Sequence, residues 1–282
     1  MIATLINFST NEAPFLRQCL EEAFFFSTQV IVIVCDHFFD GTPENLSLLR
    51  GIYAAHPEVE FIQYAWDINN FYGRHSSYFW HNLSRLIGSD FVCSEAEYIL
   101  FLDVDEIPSG RQVAKWLEIF PLKNYEALRL ACYWYFRKAY FRAETLEDTP
   151  LLLHKRGISY DVIMHPCERA GSFDLIKGDK LRFAGEDAPL FHHYSWARSK
   201  EALLRKVRSW GHRGERDWEE MIEKEFSGPF SGRDFVHGYQ FNTVDSSLKI
   251  GSYESTDLMS KNVRLLNTGD IHKIDIRLKF GI

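Results

Sequence analysis

Short apolar runs alternate with segments of mixed polarity along the first part of the chain. The runs are rich in branched and aromatic residues, as strands are, and they lie at 2–8, 30–34, 59–64 and 98–102. The segments between them repeat apolar side chains every three or four positions, as amphipathic helices do, and they lie at 14–26, 43–55 and 76–87. The pattern therefore predicts strands that are connected by helices.

This alternation predicts an α/β fold built on a mostly parallel sheet with helices on both faces. The run 30–34 contains no polar residue, as expected of a strand that is covered on both sides. Ligands of such sheets bind at the carboxyl ends of the strands. Polar residues follow three of the predicted strands, at 9–11, 36–37 and 103–106, so we expect the site there.

The remainder of the chain has a different pattern. Strand-like, aromatic sequence occupies 125–142, and charged amphipathic helices are predicted within 199–224. The last stretch is punctuated by Gly and Ser and ends in an alternating pattern that predicts a strand, at Ile274, Ile276, Leu278 and Phe280. We interpret 1–225 as the main domain and 226–282 as a C-terminal helical and β elaboration that packs on the same domain.

The composition allows one sizeable core and narrows the classes of partner. The 282 residues are 46% hydrophobic, and the net charge of −7 comes without a long run of Lys or Arg, which excludes an extended nucleic-acid surface. No apolar stretch reaches the roughly 18 residues that span a bilayer. The N-terminus lacks the basic region of a signal peptide, so a cytoplasmic protein is expected. Five scattered cysteines without C-x-x-C spacing argue against a disulfide framework and against a zinc site.

Asp103 and Asp105 carry the clearest chemical signal. They follow the predicted strand 98–102 and stand two positions apart, which places both carboxylates on one side of an extended chain. Buried carboxylates without partners are costly, and hard divalent cations prefer oxygen ligands of this kind. A cation held there can grip a diphosphate and neutralise the charge that develops as it leaves. The pair therefore predicts a divalent-metal site.

The segment Asp103-Val104-Asp105 resembles the D-x-D motif of GT-A glycosyltransferases, and the continuation Glu106-Ile107-Pro108 resembles its D-E-x-P variant. The resemblance, to family-2-like and family-17-like members, implies the GT-A (Rossmann-like) fold. It implies that Asp103 orients the ribose or the metal and that Asp105 binds the metal, Mn²⁺ or Mg²⁺. It also implies transfer of a sugar from a nucleotide diphosphate sugar, with UDP favoured by its frequency in the family, to a hydroxyl of a glycan, a lipid-linked glycan or a protein.

Further segments extend this resemblance to the nucleoside. Asn11 follows the first strand, as in family-2-like members, where this strand end approaches the nucleoside. Asp36, followed by Asp40-Gly41-Thr42, resembles the acid and S-x-D-G-T motif of their second strand, which implies contact with the base or ribose. Arg74 lies where relatives keep a basic residue near the base.

Two adjacent histidines supply a candidate for a further metal ligand. The order His-Tyr-x-Trp-x-Arg that begins at His193 resembles a late segment of the same transferases, which implies that His193 binds the metal. Alternation along an extended segment points His192 to the opposite face. Neutral imidazole suits Mn²⁺ better than Mg²⁺, which prefers oxygen and water.

A general base is required only if the transfer inverts configuration. A carboxylate then takes the proton of the acceptor hydroxyl on the side of the sugar opposite the diphosphate. The candidates are Asp161, Glu168, Glu186 and Asp187, and the last two resemble the E-D pair of family-2 members. A retaining enzyme would need none of them.

Three other classes of protein share part of this pattern. A HAD-type phosphatase has D-x-D-G-T near the start of its fold, whereas Glu106 and Ile107 replace Gly-Thr here. A sugar-nucleotide pyrophosphorylase needs a Gly-rich loop with Lys or Arg after the first strand, and 9–14 has neither. The third class is a catalytically inactive GT-A fold that binds sugars or serves as a scaffold.

Overall fold

Two sheets and the helices packed on them form the protein. The structure, a computed structural model, describes residues 1–66 and 77–280. In chain order the strands are β1 (Ile2–Phe8), β2 (Gln29–Cys35), β3 (Glu60–Tyr64), β4 (Tyr98–Asp103), β5 (Glu106–Pro108), β6 (Ala127–Leu130), β7 (Cys132–Phe136), β8 (Phe141–Glu147), β9 (Leu151–His154), β10 (Lys180–Ala184), β11 (Phe191–Trp196), β12 (Phe241–Thr243) and β13 (Val263–Leu266). The α-helices are α1 (Ala13–Ala23), α2 (Leu46–Ala55), α3 (Ser77–Asp90), α4 (Gly110–Ile119), α5 (Tyr160–Ile163), α6 (Glu168–Leu175), α7 (Lys200–Ser209), α8 (Trp218–Glu225) and α9 (Thr268–Phe280).

The main sheet confirms the predicted α/β class. Its strand order is β10-β6-β9-β4-β1-β2-β3-β13, and five of its seven neighbouring pairs are parallel. The exception is β9, which runs antiparallel to both of its neighbours, β4 and β6. The elements predicted from the apolar pattern are β1 to β4 and α1 to α3, each displaced by a few residues at most.

Helices cover both faces of the main sheet, which explains why its central strands are predominantly apolar. In β1 every residue is buried, with Ile6 facing one core cluster and Leu5 the other. The first cluster lies under α1, α2 and α4, and the second lies under α3, α5, α6 and α9. No helix in the described ranges is long and apolar enough to cross a membrane.

The strand order reverses between β1 and β4, and this reversal fixes where a ligand can bind. Chain order runs outward from β1 through β2 to β3 on one side, whereas β4 lies on the other side. The connections leave in opposite directions there and open a crevice at the carboxyl ends of the strands. Asn7 near the end of β1 is directly paired with Asp103 at the end of β4.

The second sheet, in the order β12-β8-β7-β11-β5, lies beyond that crevice. Its strand β5 follows β4 after a two-residue turn, so Asp105 lies exactly where the chain passes from one sheet to the other. Trp134 and Trp196 of this sheet pack with α7 and α8 in a third core cluster. The helices predicted within 199–224 are α7 and α8, separated by a non-helical connection.

The predicted strand at the C-terminus is wrong, because 268–280 forms helix α9. Ile271 and Ile274 lie almost one turn apart, and both are buried against the second core cluster. Asn267 and Asp270 each accept a hydrogen bond from the other's backbone N–H, at 3.1 Å, which is the reciprocal arrangement that starts a helix. The burial of these isoleucines and the capping hydrogen bonds stabilise a helix here despite the alternating pattern of the sequence.

The C-terminal segment contributes to both sheets. Strand β12 pairs with β8, and β13 extends the main sheet beside β3. Backbone groups at Ser247 and Lys249 hydrogen-bond to the side chain of Gln18 on α1. The division of the chain at 225 stays a prediction.

Gly51 gives a test of how tightly this segment packs. A Cβ atom added there would lie 1.7 Å from the carbonyl oxygen of Glu254. We expect Gly51→Ala to displace the segment and to lower the free energy of unfolding in urea by about 1–3 kcal/mol, despite the better helix propensity of Ala. The control is Gly214→Ala, because no atom lies within 4 Å of that added Cβ. Equal stabilities of the two variants would contradict the packing.

Candidate active site

A cavity of about 730 Å³ lies at the carboxyl ends of β1, β2 and β4. Its near wall comes from the loops that follow these strands, and its far wall comes from β7, β8, β11 and the connection between α7 and α8. Of the residues predicted from the sequence, the cavity brings together Asn11, Asp103, Asp105, Glu168 and His193. It therefore lies at the switch point of the sheet.

Acidic side chains outnumber basic ones on the cavity wall. The carboxylates belong to Glu12, Glu44, Asp103, Asp105, Glu147, Glu168 and Glu215. The Arg and Lys side chains belong to Arg129, Arg169, Lys206 and Arg216. Groups directly behind the wall, Arg85, Arg198 and Glu106, bring the balance to eight carboxylates against six cations. His81 and His193, whose pKa is raised, can add positive charge to this balance, so the wall offers a diphosphate no excess of positive charge unless a cation accompanies it.

Asp103 is surrounded by positive and potentially positive groups. Its Oδ2 accepts a hydrogen bond from Arg169 at 2.9 Å, and its Oδ1 contacts Arg85 at 3.2 Å and the Nε2 of His81 at 3.0 Å. Burial alone would raise the pKa of Asp103, but Arg169, His81 and Arg85 hold it well below its usual value. Asp103 is therefore ionised, and each of its oxygens has at least one partner.

Asp105 is only 3% exposed and is also ionised. Its Oδ2 accepts hydrogen bonds from Arg198 at 2.6 Å and from Lys206 at 2.7 Å. Burial alone would raise the pKa of this carboxyl, but Lys206, Arg198 and His193 lower it. Its other oxygen, Oδ1, accepts no hydrogen bond from the residues that the structure describes and lies 3.8 Å from the Nε2 of His193.

His193 is held by a carboxylate on its other edge. Its Nδ1 lies 3.2 Å from Oε2 of Glu147, to which it donates a hydrogen bond. Burial alone would lower the pKa of His193, but this hydrogen bond and the charges of Glu106 and Asp105 raise it. The contact with Glu147 leaves the Nε2 lone pair of a neutral ring directed at Asp105.

His192 points away from Asp105, as alternation along the strand predicts. It contacts the Tyr135 hydroxyl at 2.8 Å and the Ser109 hydroxyl at 3.1 Å. Burial, aided by the charge of Arg142, lowers the pKa of His192 to about 4. The two histidines thus occupy opposite faces of β11.

The spacing of the free donor atoms at Asp105 and His193 decides whether they can bind one divalent cation. Asp105 Oδ1 and His193 Nε2 fit, since two ligands at about 2.0–2.2 Å from one ion can lie no more than about 4.4 Å apart, and here they are 3.8 Å apart. Glu147 behind the imidazole is the carboxylate partner that such a ligand commonly has. Asp103 lines the same cavity, but its oxygens already contact Arg169, Arg85 and His81, and its implied role toward the ribose or the metal stays a prediction.

The three residues predicted to contact the nucleoside differ in their position relative to the cavity. Asn11 lines the cavity. Asp36 lies behind the wall, where its Oδ1 accepts a hydrogen bond from the backbone N–H of Trp66 at 2.7 Å and also contacts His37. Arg74 lies outside the described residues. The structure thus brings Asn11, but not the carboxylate of Asp36, to the ligand space.

Among the candidate bases, only Glu168 reaches the cavity. Glu186 and Asp187 are exposed in the turn after β10, and Asp161 is exposed on α5, so the geometry gives these three no support. Burial alone would raise the pKa of Glu168, but His81 and Arg85 lower it to about 2. A carboxylate of that pKa is a weak base for an acceptor hydroxyl.

Several residues of the site were missed in the sequence. Glu147 and His81 lie on a strand and a helix with no motif around them, and Arg169 follows Glu168 without any signal of its own. The alternation of β8 could have identified Glu147 as inward-facing, but not its contact with His193. Arg198 and Lys206 belong to the charged segment before and within α7, from which the sequence allows one cation to reach a diphosphate but does not indicate their contacts with Asp105.

No protein-family model and no curated protein matches the chain. Solved structures match parts of it. The 1–349 portion of TarS from S. aureus in complex with UDP matches with 10% identity and a TM-score of 0.43, covering 94% of this chain and 100% of that one. GlyE, a glycosyltransferase of Streptococcus pneumoniae, matches with 13% identity and a TM-score of 0.38, covering 80% of this chain and 63% of GlyE.

A synthase also matches. It is the 4-diphosphocytidyl-2C-methyl-D-erythritol synthase of Anaerococcus prevotii, with 9% identity and a TM-score of 0.44, covering 72% of this chain and 93% of that one. This chain spans less than two thirds of GlyE. Likeness of this degree assigns neither a substrate nor a reaction.

Arg169 tests the charge network around Asp103. Its guanidinium also donates to Glu106, whose side chain is 0% exposed, so its removal would leave the buried Glu106 and the partly exposed Asp103 underpaired. We expect Arg169→Met to lower the free energy of unfolding by about 3–5 kcal/mol, measured by urea denaturation. The control is Arg208→Met, whose ion pair with Glu219 is exposed and worth about 1 kcal/mol or less. A loss at Arg169 no larger than that of the control would show that the network is not buried in solution.

Proposed function

We propose that the protein is a metal-dependent glycosyltransferase that moves a sugar from a nucleotide diphosphate sugar to a hydroxyl acceptor. The observation that carries the proposal is the pair of free ligand atoms, Asp105 Oδ1 and His193 Nε2, 3.8 Å apart in the switch-point cavity. The resemblance of Asp103-Val104-Asp105 to the D-x-D motif supports it and favours a UDP-sugar. The acceptor class, a glycan, a lipid-linked glycan or a protein, belongs to the same proposal.

Asp105 and His193 would hold the cation, with Mn²⁺ favoured over Mg²⁺ because one ligand is an imidazole. When bound, such a cation neutralises charge on a leaving diphosphate. Glu147 keeps the His193 ring in one orientation through Nδ1. Lys206 and Arg198 keep Asp105 ionised by occupying its Oδ2, which leaves Oδ1 for the cation.

The end of β1 would contact the nucleoside. Asn7 is buried, lines the cavity, and its Oδ1 has no hydrogen-bond partner among the described residues. A buried acceptor without a partner is costly, and a hydroxyl or N–H of the nucleoside would satisfy it. Asn11 lies just after β1 and also lines the cavity. Asp103, which is paired with Asn7 in the sheet, would orient the ribose.

Glu168 is proposed as an anchor rather than a base. Its carboxylate contacts the Nδ1 of His81 at 3.1 Å, and the Nε2 of the same ring contacts Asp103 at 3.0 Å. The chain Glu168–His81–Asp103 therefore fixes the carboxylate that faces the ribose. This role needs Glu168 to stay ionised, as its lowered pKa indicates.

Two alternatives make different predictions. The loop after β1 presents Glu12 and, through Thr10, Glu44, so a nucleotidyltransferase that holds a triphosphate with basic groups at this loop is disfavoured. An inactive GT-A fold that binds sugars would bind the donor without consuming it. Slow release of free sugar from the nucleotide sugar, which requires an active site, would exclude the inactive form.

Nucleotide binding should depend on the cation, because the cavity offers a diphosphate no excess of positive charge. We expect calorimetry to show UDP or GDP binding at least about tenfold more tightly with Mn²⁺ than with EDTA, with UDP the tighter of the two. Uridine, which has no phosphate, is the control and should not respond to Mn²⁺. Equal UDP affinity in Mn²⁺ and EDTA would contradict the metal site.

Substitution of the two adjacent histidines tests the metal site more directly than substitution of Asp105. Removing Asp105 would also leave Arg198 and Lys206 without their carboxylate partner. We expect His193→Gln to weaken Mn²⁺-dependent UDP binding and to slow transfer by about ten- to a hundredfold. His192→Gln should leave Mn²⁺-dependent binding within about twofold, since its ring contacts Tyr135 and Ser109 instead. A larger loss of Mn²⁺-dependent binding in His192→Gln than in His193→Gln would show that the cation lies on the opposite face of β11.

A further inference from the structure

Cys132, Glu147 and His193 form a second group of metal-ligating side chains beside the proposed cation site. One ligand atom from each lies within 4.8 Å of the others. Cys132 on β7 is directly paired with Glu147 on β8, and His193 on β11 is paired with Trp134, two residues after Cys132. Residues two apart on a strand share a face, so the sheet itself brings the three side chains together.

The donor types of this group differ from those at Asp105. A thiol, a carboxylate and an imidazole make a set that suits zinc and other thiophilic ions, whereas carboxylate oxygens with an imidazole suit Mn²⁺. The spacing of the five cysteines argues against a zinc site within any one segment. Cysteine spacing cannot reveal this set of ligands, because its members come from three separate strands.

His193 belongs to both groups through different ring atoms. Its Nε2 faces Asp105 at 3.8 Å, and its Nδ1 faces Glu147 at 3.2 Å. A neutral imidazole has one lone pair and one N–H. A metal on Nδ1 therefore leaves the proton on Nε2, which can then no longer bind a cation beside Asp105.

We propose that Cys132, Glu147 and the Nδ1 of His193 form a second metal site for a thiophilic divalent ion such as Zn²⁺, and that this ion excludes Mn²⁺ from the site at Asp105. Binding displaces the thiol proton of Cys132 to solvent and shifts the ring proton of His193 from Nδ1 to Nε2. The exclusion of Mn²⁺ rests on the proposed function, whereas the thiophilic site does not.

Two of the three ligands face the cavity, and Cys132 is fully buried beside it. Glu147 and His193 line the cavity, as does Thr149, whose hydroxyl lies 3.4 Å from the Cys132 sulfur. The second oxygen of Glu147 lies 3.4 Å from the Nε2 of His237, an exposed ring on the same wall. Water from the cavity or His237 can complete the coordination shell.

Cadmium titration of the purified full chain tests the site directly, because a cadmium–thiolate bond adds an ultraviolet absorption band. We expect the wild-type protein and the control Cys93→Ser to show the band with equal affinity, since Cys93 does not belong to the group of three ligands. Cys132→Ser should weaken cadmium binding by more than about tenfold, and Glu147→Gln, which leaves the thiol in place, should weaken it similarly. Unchanged cadmium affinity in both variants would overturn the site.

A second measurement separates this proposal from the transferase proposal. Asp105→Asn should keep the cadmium band while losing Mn²⁺-dependent UDP binding, and loss of the band in this variant would show that the donor set is a different one. In the wild type, Zn²⁺ should raise the Mn²⁺ concentration needed for UDP binding by about tenfold or more, and Cys132→Ser should remove that effect. If UDP binding needs no Mn²⁺, the transferase proposal fails while the cadmium result stands alone. If Mn²⁺ is needed but Zn²⁺ does not compete, the exclusion fails.

Discussion

Buried carboxylates at the end of β4 have to be neutralised by cations from distant parts of the chain, and the site is arranged around this requirement. The partner of Asp103, Arg169, comes from α6, 66 residues later. The partners of Asp105 are Arg198, 93 residues later and just before α7, and Lys206, 101 residues later and within α7. Because an unpaired buried charge costs several kcal/mol, these contacts restrict where α6 and α7 can pack.

Stability alone does not account for such a network. Buried ion pairs are often no more stabilising than apolar residues of the same size, because both ions lose their hydration. Binding of a charged ligand would explain why these ion pairs are present. In the proposed function the Arg and Lys side chains keep Asp103 and Asp105 ionised and oriented, and a divalent cation that arrives with a diphosphate would supply the positive charge that the cavity lacks. Fold and site therefore depend on the same contacts, and variants such as Arg169→Met are expected to affect both.

The fold was predictable where the hydrophobic pattern had one interpretation. The strands β1, β2 and β4 lie between helix layers, so their sequences are predominantly apolar and almost every residue in them is buried. At the C-terminus two patterns overlap: the alternation from Ile274 suggests a strand, and the spacing of Ile271 and Ile274 suits a helix. The capping contacts of Asn267 and burial against α3 and α5 decide for the helix, and only the second of these depends on the fold.

The site was predictable as far as the strand ends, and no further. A parallel sheet collects the residues that follow its strands, which is why Asn11 and Asp103 reach one cavity although they are far apart in sequence. The partners of those residues depend on pairing between strands. Glu147 reaches His193 because β8 pairs with β7 and β7 pairs with β11. Glu186 resembles a motif residue yet stands in an exposed turn. A motif identifies the chemistry of a strand end, whereas sheet register decides which side chains complete the site.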